Sequence, residues 1–220
     1  EIPLRLVGSE MCIRDRAYYS GDSAEVGFLL KTVRDRIPHA RWHAVGVSLG
    51  GNALLKYLGE HHEDTTWLTA CAGVSVPLDL VACGKTLSTG FFNRKVYTGH
   101  FLKTLKHKVL EKAHRYPGAI DVMRIAHARD LRDFDDAYTA PMHGFRNALD
   151  YWTRASSKPW LPQISVPTLV LNALNDPFIP ASALPKPDEC SSSILLHQPT
   201  DGGHALSLIH ISEPTRRRGI

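Results

Sequence analysis

The stretch Gly46-Val47-Ser48-Leu49-Gly50-Gly51 constrains this chain more than any other part of it. The apolar run RWHAVGV leads in and the helix-like run NALLKYLGE leads out, so a serine stands between glycines where a strand becomes a helix. A plain strand-to-helix turn needs no such concentration of small residues. A serine held out on a sharp, strained turn does, because larger flanking side chains would collide. Gly46 and Gly50 are expected to give the turn its room, and Gly51 to let the helix pack close. The bare pattern G-x-S-x-G is weak, arising by chance about once in a dozen chains of this length. Its place between a strand run and a helix run gives it weight. Ser48 is then a candidate nucleophile, with a helix N-terminus behind it that favours negative charge. The backbone N–H of Leu49 is a candidate oxyanion donor.

A serine hydroxyl attacks only when a base takes its proton, and the base needs a third group to orient it. With this turn the order along the chain is serine, acid, histidine. Asp176 follows the apolar run VPTLVLNALN, at the C-terminal end of an expected strand, where open α/β sheets gather functional groups. Taken locally it also reads as a turn residue in Asn-Asp-Pro. His204 closes the sequence DGGH just past the run ILLHQPT, and its two glycines suggest a tight loop. His197 lies inside that run and reads as structural. His61 and His62 have no further ligands spaced to join them, so no metal is expected.

The rest of the chain places these residues in a layered domain. SAEVGFLLKTVRDRIP has Val26, Leu29, Leu30 and Val33 at helical spacing, with Asp22 or Ser23 as cap and Pro38 beyond the end. WLTACAGVSV, VPTLVLNA and SSSILLHQP are further short apolar runs. Such runs, some separated by helices, predict an α/β domain with a largely parallel sheet. Residues 78–150 interrupt the pattern without a strong strand signal. There Phe91, Phe92, Val96, Phe101, Leu102, Leu105 and Val109 share one helical face, with lysines mostly elsewhere. This is either an amphipathic helix packed on the domain or a helical cap that also roofs an apolar pocket. A nucleic-acid surface is not expected, because stacking aromatics and a large net charge are both lacking.

The two ends carry a different signal. Residues 5–16 read RLVGSEMCIRDR and residues 206–217 read LSLIHISEPTRR. Written as codons, MCIRDR is ATG TGT ATA AGA GAC AGG, and the reverse complement of its first five codons and two bases reads LSLIHI once its last codon is completed. LVGSE and SEPTR are related by the same operation. Residues 1–16 and 206–220 are therefore expected to be translated sequencing-adapter DNA, without fold information. The whole chain has 26 basic and 22 acidic residues, and removing the six basic and four acidic residues of the ends leaves 20 against 18. The remaining net charge of +2 does not suggest nucleic acid. Cys71, Cys83 and Cys190 make an odd, unpaired set, which favours a reducing compartment and a cytoplasmic location. No run approaches the roughly 20 residues of a membrane span.

YYSGD, AVGVSLGGN, FDDAYTAPMHGF, NALNDPF, LPKPD and DGGH, taken in order, resemble the successive landmarks of the YheT-like hydrolases, the AB hydrolase 4 group of the α/β-hydrolase superfamily. The resemblance covers nearly all of residues 17–205. It implies an α/β-hydrolase fold with a mostly parallel sheet, whose core is residues 17–77 and 151–205, with residues 78–150 as a helical cap. It implies a part that lacks N-terminal strands, an oxyanion loop and a last helix, and that is therefore expected to be impaired, weakly active or inactive as it stands. By position it makes Ser48 the nucleophile, Asp176 the orienting acid and His204 the general base. It implies a serine carboxylesterase or lipase acting on small-molecule or lipid esters, such as acylglycerols or phospholipids, without metal or cofactor. Transient contact of the cap with a membrane surface belongs to the same expectation. A serine peptidase or thioesterase would use the same three residues. A non-catalytic binding module on the same fold would instead show a defective position among them.

Overall fold

The computed structural model describes residues 19–88, 99–115 and 121–204. The adapter-like ends, together with Phe91, Phe92, Val96 and the side chain of Phe101, lie outside what it describes. Helix α1 (Ser23–Arg36) starts where the sequence predicts, because the Asp22 carboxylate accepts from the Glu25 N–H at 3.1 Å. Strand β1 (Trp42–Val47) leads into helix α2 (Leu49–Glu60), and strand β2 (Leu68–Val74) follows. Helices α3 (Leu80–Ser88), α4 (Gly99–Arg115), α5 (Val122–His127), α6 (Leu131–Phe134), α7 (Ala140–Met142) and α8 (Ala148–Ala155) come next. A π-helical turn, Asp135–Thr139, joins α6 to α7. Strands β3 (Thr168–Leu171) and β4 (Ile194–His197) complete the described chain.

The four strands pair in chain order, β1-β2-β3-β4, and every pairing is parallel. Parallel partners share a face, so the register divides the sheet into two surfaces. The rows Ala44–Cys71–Thr168–Ile194 and Gly46–Gly73–Val170–Leu196 turn toward the helices. Ala44, Cys71 and Val170 are buried there with Leu54, Leu55, Tyr57 and Leu58 of α2, and Val26 and Leu30 of α1 pack behind. Fully burying each such leucine contributes about 1.5–3 kcal/mol. The row Val45–Ala72–Leu169–Leu195 lies on the opposite face, where Val45 and Leu195 are each 67% exposed. Parallel sheets are ordinarily covered on both sides. Here one side presents apolar side chains to water, and among the described residues β1 stands at the sheet edge.

The segment between β2 and β3 forms its own apolar clusters. Leu102 and Val109 of α4 are buried with Ile125, Phe134, Ala137 and Tyr138, and Leu105 is partly buried beside them. The apolar stripe read from the sequence is thus spent at least partly on α5, α6 and the π turn. Helix α8 packs Ala148, Tyr151, Trp152 and Ala155 against Leu80 of α3 and Ala140 of α7. The π turn is tied to α8 by side chains. Asp135 accepts from Trp152 Nε1 at 2.7 Å and from Thr139 Oγ1 at 2.6 Å, while Asp136 accepts from the Ala148 N–H at 2.6 Å. Among the described residues no helix is long and apolar enough to cross a membrane.

Candidate active site

Ser48 sits at the junction of β1 and α2 with φ 52° and ψ −125°, outside the ordinary regions for an L residue. Such strain costs on the order of 1–3 kcal/mol and persists only where the surroundings enforce it. They do so here: the Ser48 N–H donates to the Val74 carbonyl at 2.9 Å, and its own carbonyl accepts from the Asn52 N–H at 3.1 Å. The Ser48 side chain does not cap α2, so its hydroxyl stays available. The N–H of Leu49, first residue of that helix, lies at its positive end.

The glycines of the turn divide their work differently from the sequence expectation. A Cβ on Gly46 would stand 2.6 Å from the Gly51 Cα, and one on Gly51 would stand 2.5 Å from Val76 Cγ2. A Cβ on Gly50 would meet nothing within 4 Å. The close approach is therefore between Gly46 on β1 and Gly51 on α2. Gly50 faces open space, so steric room does not require glycine at that position.

Asn52, one turn into α2, was not singled out as a functional residue by sequence reasoning. It is fully buried, and its amide donates to the carbonyls of Ser20 at 2.7 Å and Ala155 at 2.8 Å. Its oxygen accepts from the Ser157 N–H at 2.9 Å. Helix α2 is thereby pinned to the start of the described chain and to the end of α8. The only sequence signal was the asparagine closing GVSLGGN, which carries no periodicity.

Asp176 and His204 reach Ser48 from two loops stapled side by side. The Asn172 N–H donates to the His197 carbonyl at 3.0 Å, and the Leu174 N–H to the Pro199 carbonyl at 2.8 Å. Asn175 accepts from the Gly203 N–H at 2.8 Å. Gly203 has φ 60°, and a Cβ on Gly202 would stand 2.9 Å from the Ala173 Cβ, so the glycine pair is what lets the second loop close. The Asp176 side chain is sealed from solvent, and that of His204 is 17% exposed. His204 Nδ1 lies 2.7 Å from Asp176 Oδ2, and His204 Nε2 lies 3.1 Å from Ser48 Oγ. The other carboxylate oxygen of Asp176 accepts from the Phe178 N–H at 2.8 Å. The Phe178 ring stands edge-on to the imidazole, with centroids 4.7 Å apart. With Asp176 as acceptor, Nδ1 carries the proton and Nε2 is left to accept from the serine hydroxyl. All four candidate residues from the sequence lie at one end of the sheet. Phe178 and Asn175 are additional supports that local sequence did not single out.

The nearby thiols are poor competitors as nucleophiles. Burial pushes Cys83 up to about 12, helped by the charges of Asp79 and Asp176. Burial pushes Cys71 up to about 11. Both stay neutral thiols near neutral pH. Among the described residues, no three His, Cys, Asp or Glu side chains group as metal ligands would.

Comparison with known proteins matches residues 23–211 to the alpha/beta hydrolase fold. The chain is 35% identical over 191 residues to YheT of Escherichia coli (strain K12), covering 86% of this chain and 55% of that one. It is 30% identical over 201 residues to phospholipase ABHD3 of Homo sapiens, covering 91% of this chain and 49% of that one. The chain thus spans about half the length of these relatives. A solved structure of the Pyrococcus furiosus esterase Pf2001 superposes with a TM-score of 0.50 at 12% identity, covering 89% of this chain and 59% of that one. At that identity the likeness concerns the fold.

Proposed function

This chain belongs to the alpha/beta hydrolase fold family, and from that premise we propose that it is a serine hydrolase that cleaves carboxylic esters. The observation that carries the reading is a single imidazole with one nitrogen on Asp176 and the other on Ser48 Oγ. Ser48 Oγ attacks the ester carbonyl carbon while its proton passes to His204 Nε2. Negative charge gathers on the carbonyl oxygen, and the Leu49 N–H at the start of α2 donates to it. His204 then gives the proton to the leaving alcohol oxygen as the C–O bond breaks, which leaves an acyl group on Ser48. In the second half, His204 takes a proton from water as the water attacks the acyl carbon. It returns the proton to Ser48 Oγ as the acid departs. Asp176 holds the ring in the tautomer these steps need and stabilises the imidazolium between them.

The substrate class follows from company and composition together. The relatives named above include a phospholipase. We assign residues 78–150 as the helical cap over the acyl group, inserted between the core segments 17–77 and 151–205. Lipid esters such as acylglycerols and phospholipids are then the proposed substrates. The undamaged set of three residues favours catalysis over a binding module.

The test is covalent labelling of Ser48 by a fluorophosphonate probe, alongside turnover of p-nitrophenyl acetate. In the protein completed to the length of its relatives, the parent labels and turns over, and Ser48→Ala does neither. Normal turnover by Ser48→Ala would refute the assignment.

A further inference from the structure

The His204 ring is held at its two nitrogens. Nδ1 lies 2.7 Å from Asp176 Oδ2, and Nε2 lies 3.1 Å from Ser48 Oγ. These contacts fix where the nitrogens stand. They resist only weakly a swivel of the ring about the line that joins them, because a hydrogen bond tolerates tens of degrees of bending before it weakens steeply. Such a swivel matters all the same. The N–H of Nδ1 and the lone pair of Nε2 both lie in the ring plane, so tilting the plane turns each away from its partner.

Phe178 supplies a third contact. Its ring centroid stands 4.7 Å from that of the imidazole, with the planes 76° apart, which is the spacing of an edge-to-face pair. Both imidazole nitrogens face oxygens, so an aromatic neighbour meets the ring at its carbons or faces, off the line between the nitrogens. The Phe178 ring is itself placed by the carboxylate that orients the base. The Phe178 N–H donates to Asp176 Oδ1 at 2.8 Å, across Pro177. One tripeptide thus carries the acceptor for Nδ1 and the ring beside the imidazole. Behind it, Cys83 of α3, Ile179 and Leu184 form a buried cluster against which the half-buried Phe178 packs. That cluster asks only for an apolar side chain at position 178, and leucine would serve it. What phenylalanine adds over leucine is a flat ring beside the imidazole.

We infer that Phe178 is a positioning residue for His204, its ring setting the rotation of the imidazole about the line between its two hydrogen bonds; this rests on the proposed reading of Ser48, Asp176 and His204. With the swivel stopped, the Nε2 lone pair stays aimed at Ser48 Oγ while the hydroxyl proton is transferred. Small errors are costly at such a step, where a misplacement of about 1 Å can lose on the order of 100-fold in rate. The cluster behind Phe178 gives the arrangement its stiffness. Through Cys83 it braces the base against α3, the first helix of the segment between β2 and β3, as well as against the loops of the sheet. Phe178 acts only through His204, and no bond is made or broken at it.

The experiment compares Phe178→Leu and Phe178→Tyr with the parent and with Ser48→Ala, in the protein completed to the length of its relatives. It reads thermal unfolding, kcat and KM on p-nitrophenyl acetate, the rate of fluorophosphonate labelling, and the far-downfield proton resonance of the His204 Nδ1–H. Phe178→Leu keeps the apolar packing and should unfold close to the parent's temperature. It should nevertheless lose about tenfold in kcat and in labelling rate at nearly unchanged KM, with the Nδ1–H resonance broadened. Phe178→Tyr keeps the ring and should stay within about twofold of the parent. Phe178→Leu turning over at the parent's rate would overturn the inference, as would a folded Phe178→Tyr that is as slow as Phe178→Leu. If the added hydroxyl prevents Phe178→Tyr from folding, the resonance in Phe178→Leu decides: broadening upholds the inference and a parent-like signal overturns it. A parent that fails to label, or a Ser48→Ala protein that still turns over, would instead overturn the reading of the site beneath it. A silent Ser48→Ala protein beside a parent-like Phe178→Leu would sink the Phe178 inference alone.

Discussion

His204 Nε2 lies 3.1 Å from Ser48 Oγ although 156 positions separate the two residues along the chain. The approach depends on β3 and β4 pairing in parallel, which lays the loop carrying Asp176 beside the loop carrying His204. It depends equally on the 2.7 Å contact between His204 Nδ1 and Asp176 Oδ2, which fixes the face and tautomer of the ring.

Asp176→Asn should leave the fold intact and cut turnover by roughly 10⁴-fold, because an amide in place of the carboxylate favours the wrong imidazole tautomer. His204→Ala should cost about as much as Ser48→Ala, since the three residues act as a unit. Steady-state kinetics on p-nitrophenyl acetate, with circular dichroism to check folding, decides this. A loss below tenfold for Asp176→Asn would mean that Asp176 does not orient the base.

The glycines of the elbow should separate cleanly on mutation. Gly46→Ala and Gly51→Ala each force a Cβ into contact at 2.6 Å or less and should destabilise by about 1–3 kcal/mol. Gly50→Ala meets open space and should leave stability within about 0.5 kcal/mol of the parent or raise it. Urea denaturation of the three variants reads out the difference.

Asp135 should make stability fall as pH rises through the mildly acidic range. Burial raises its carboxyl to about 6, against the lowering effect of hydrogen bonds from Thr139 and Trp152. The folded chain therefore holds a proton between about pH 4 and 6 that the unfolded chain has already released. Stability from this group is full below that window and is lost as pH climbs through it, by on the order of 3 kcal/mol. In Asp135→Asn the amide oxygen can still accept from Trp152 while its nitrogen donates to Thr139, and the pH dependence should vanish. Thermal unfolding of parent and variant at pH 4.5 and pH 7.5 checks it; a parallel pH response in the two proteins would exclude Asp135 as the source.

The uncovered sheet face should make the chain self-associate. Val45 and Leu195 each present two-thirds of their surface to water in one cross-strand row. Apolar patches of this kind, next to a strand edge, drive association. Replacing both residues with lysine should lower the apparent mass in light scattering and reduce binding of a hydrophobic dye, with little change in secondary structure.

Much of this molecule is legible in its sequence because the deciding physics is local. A serine held on a strained turn needs small neighbours, so GVSLGG announces itself, and Asp22 caps α1 through a bond three residues long. Short apolar runs declare the strands, and chain order nominates Asp176 and His204. The sequence cannot say which glycine meets a neighbour. Gly50 looks as necessary as Gly51 until Val76, brought in by a different strand, is seen against one and not the other. Nor does it give the roles of Asn52 and Phe178, which come from partners 26 to 105 positions away. The alternation in β1 hints at one buried face, but only the sheet register shows that the exposed positions form a continuous apolar row with β4. Local preference writes the elements, and these distinctions belong to tertiary structure because close packing, hydrogen-bond satisfaction and backbone strain are properties of pairs that the chain brings together only when it folds.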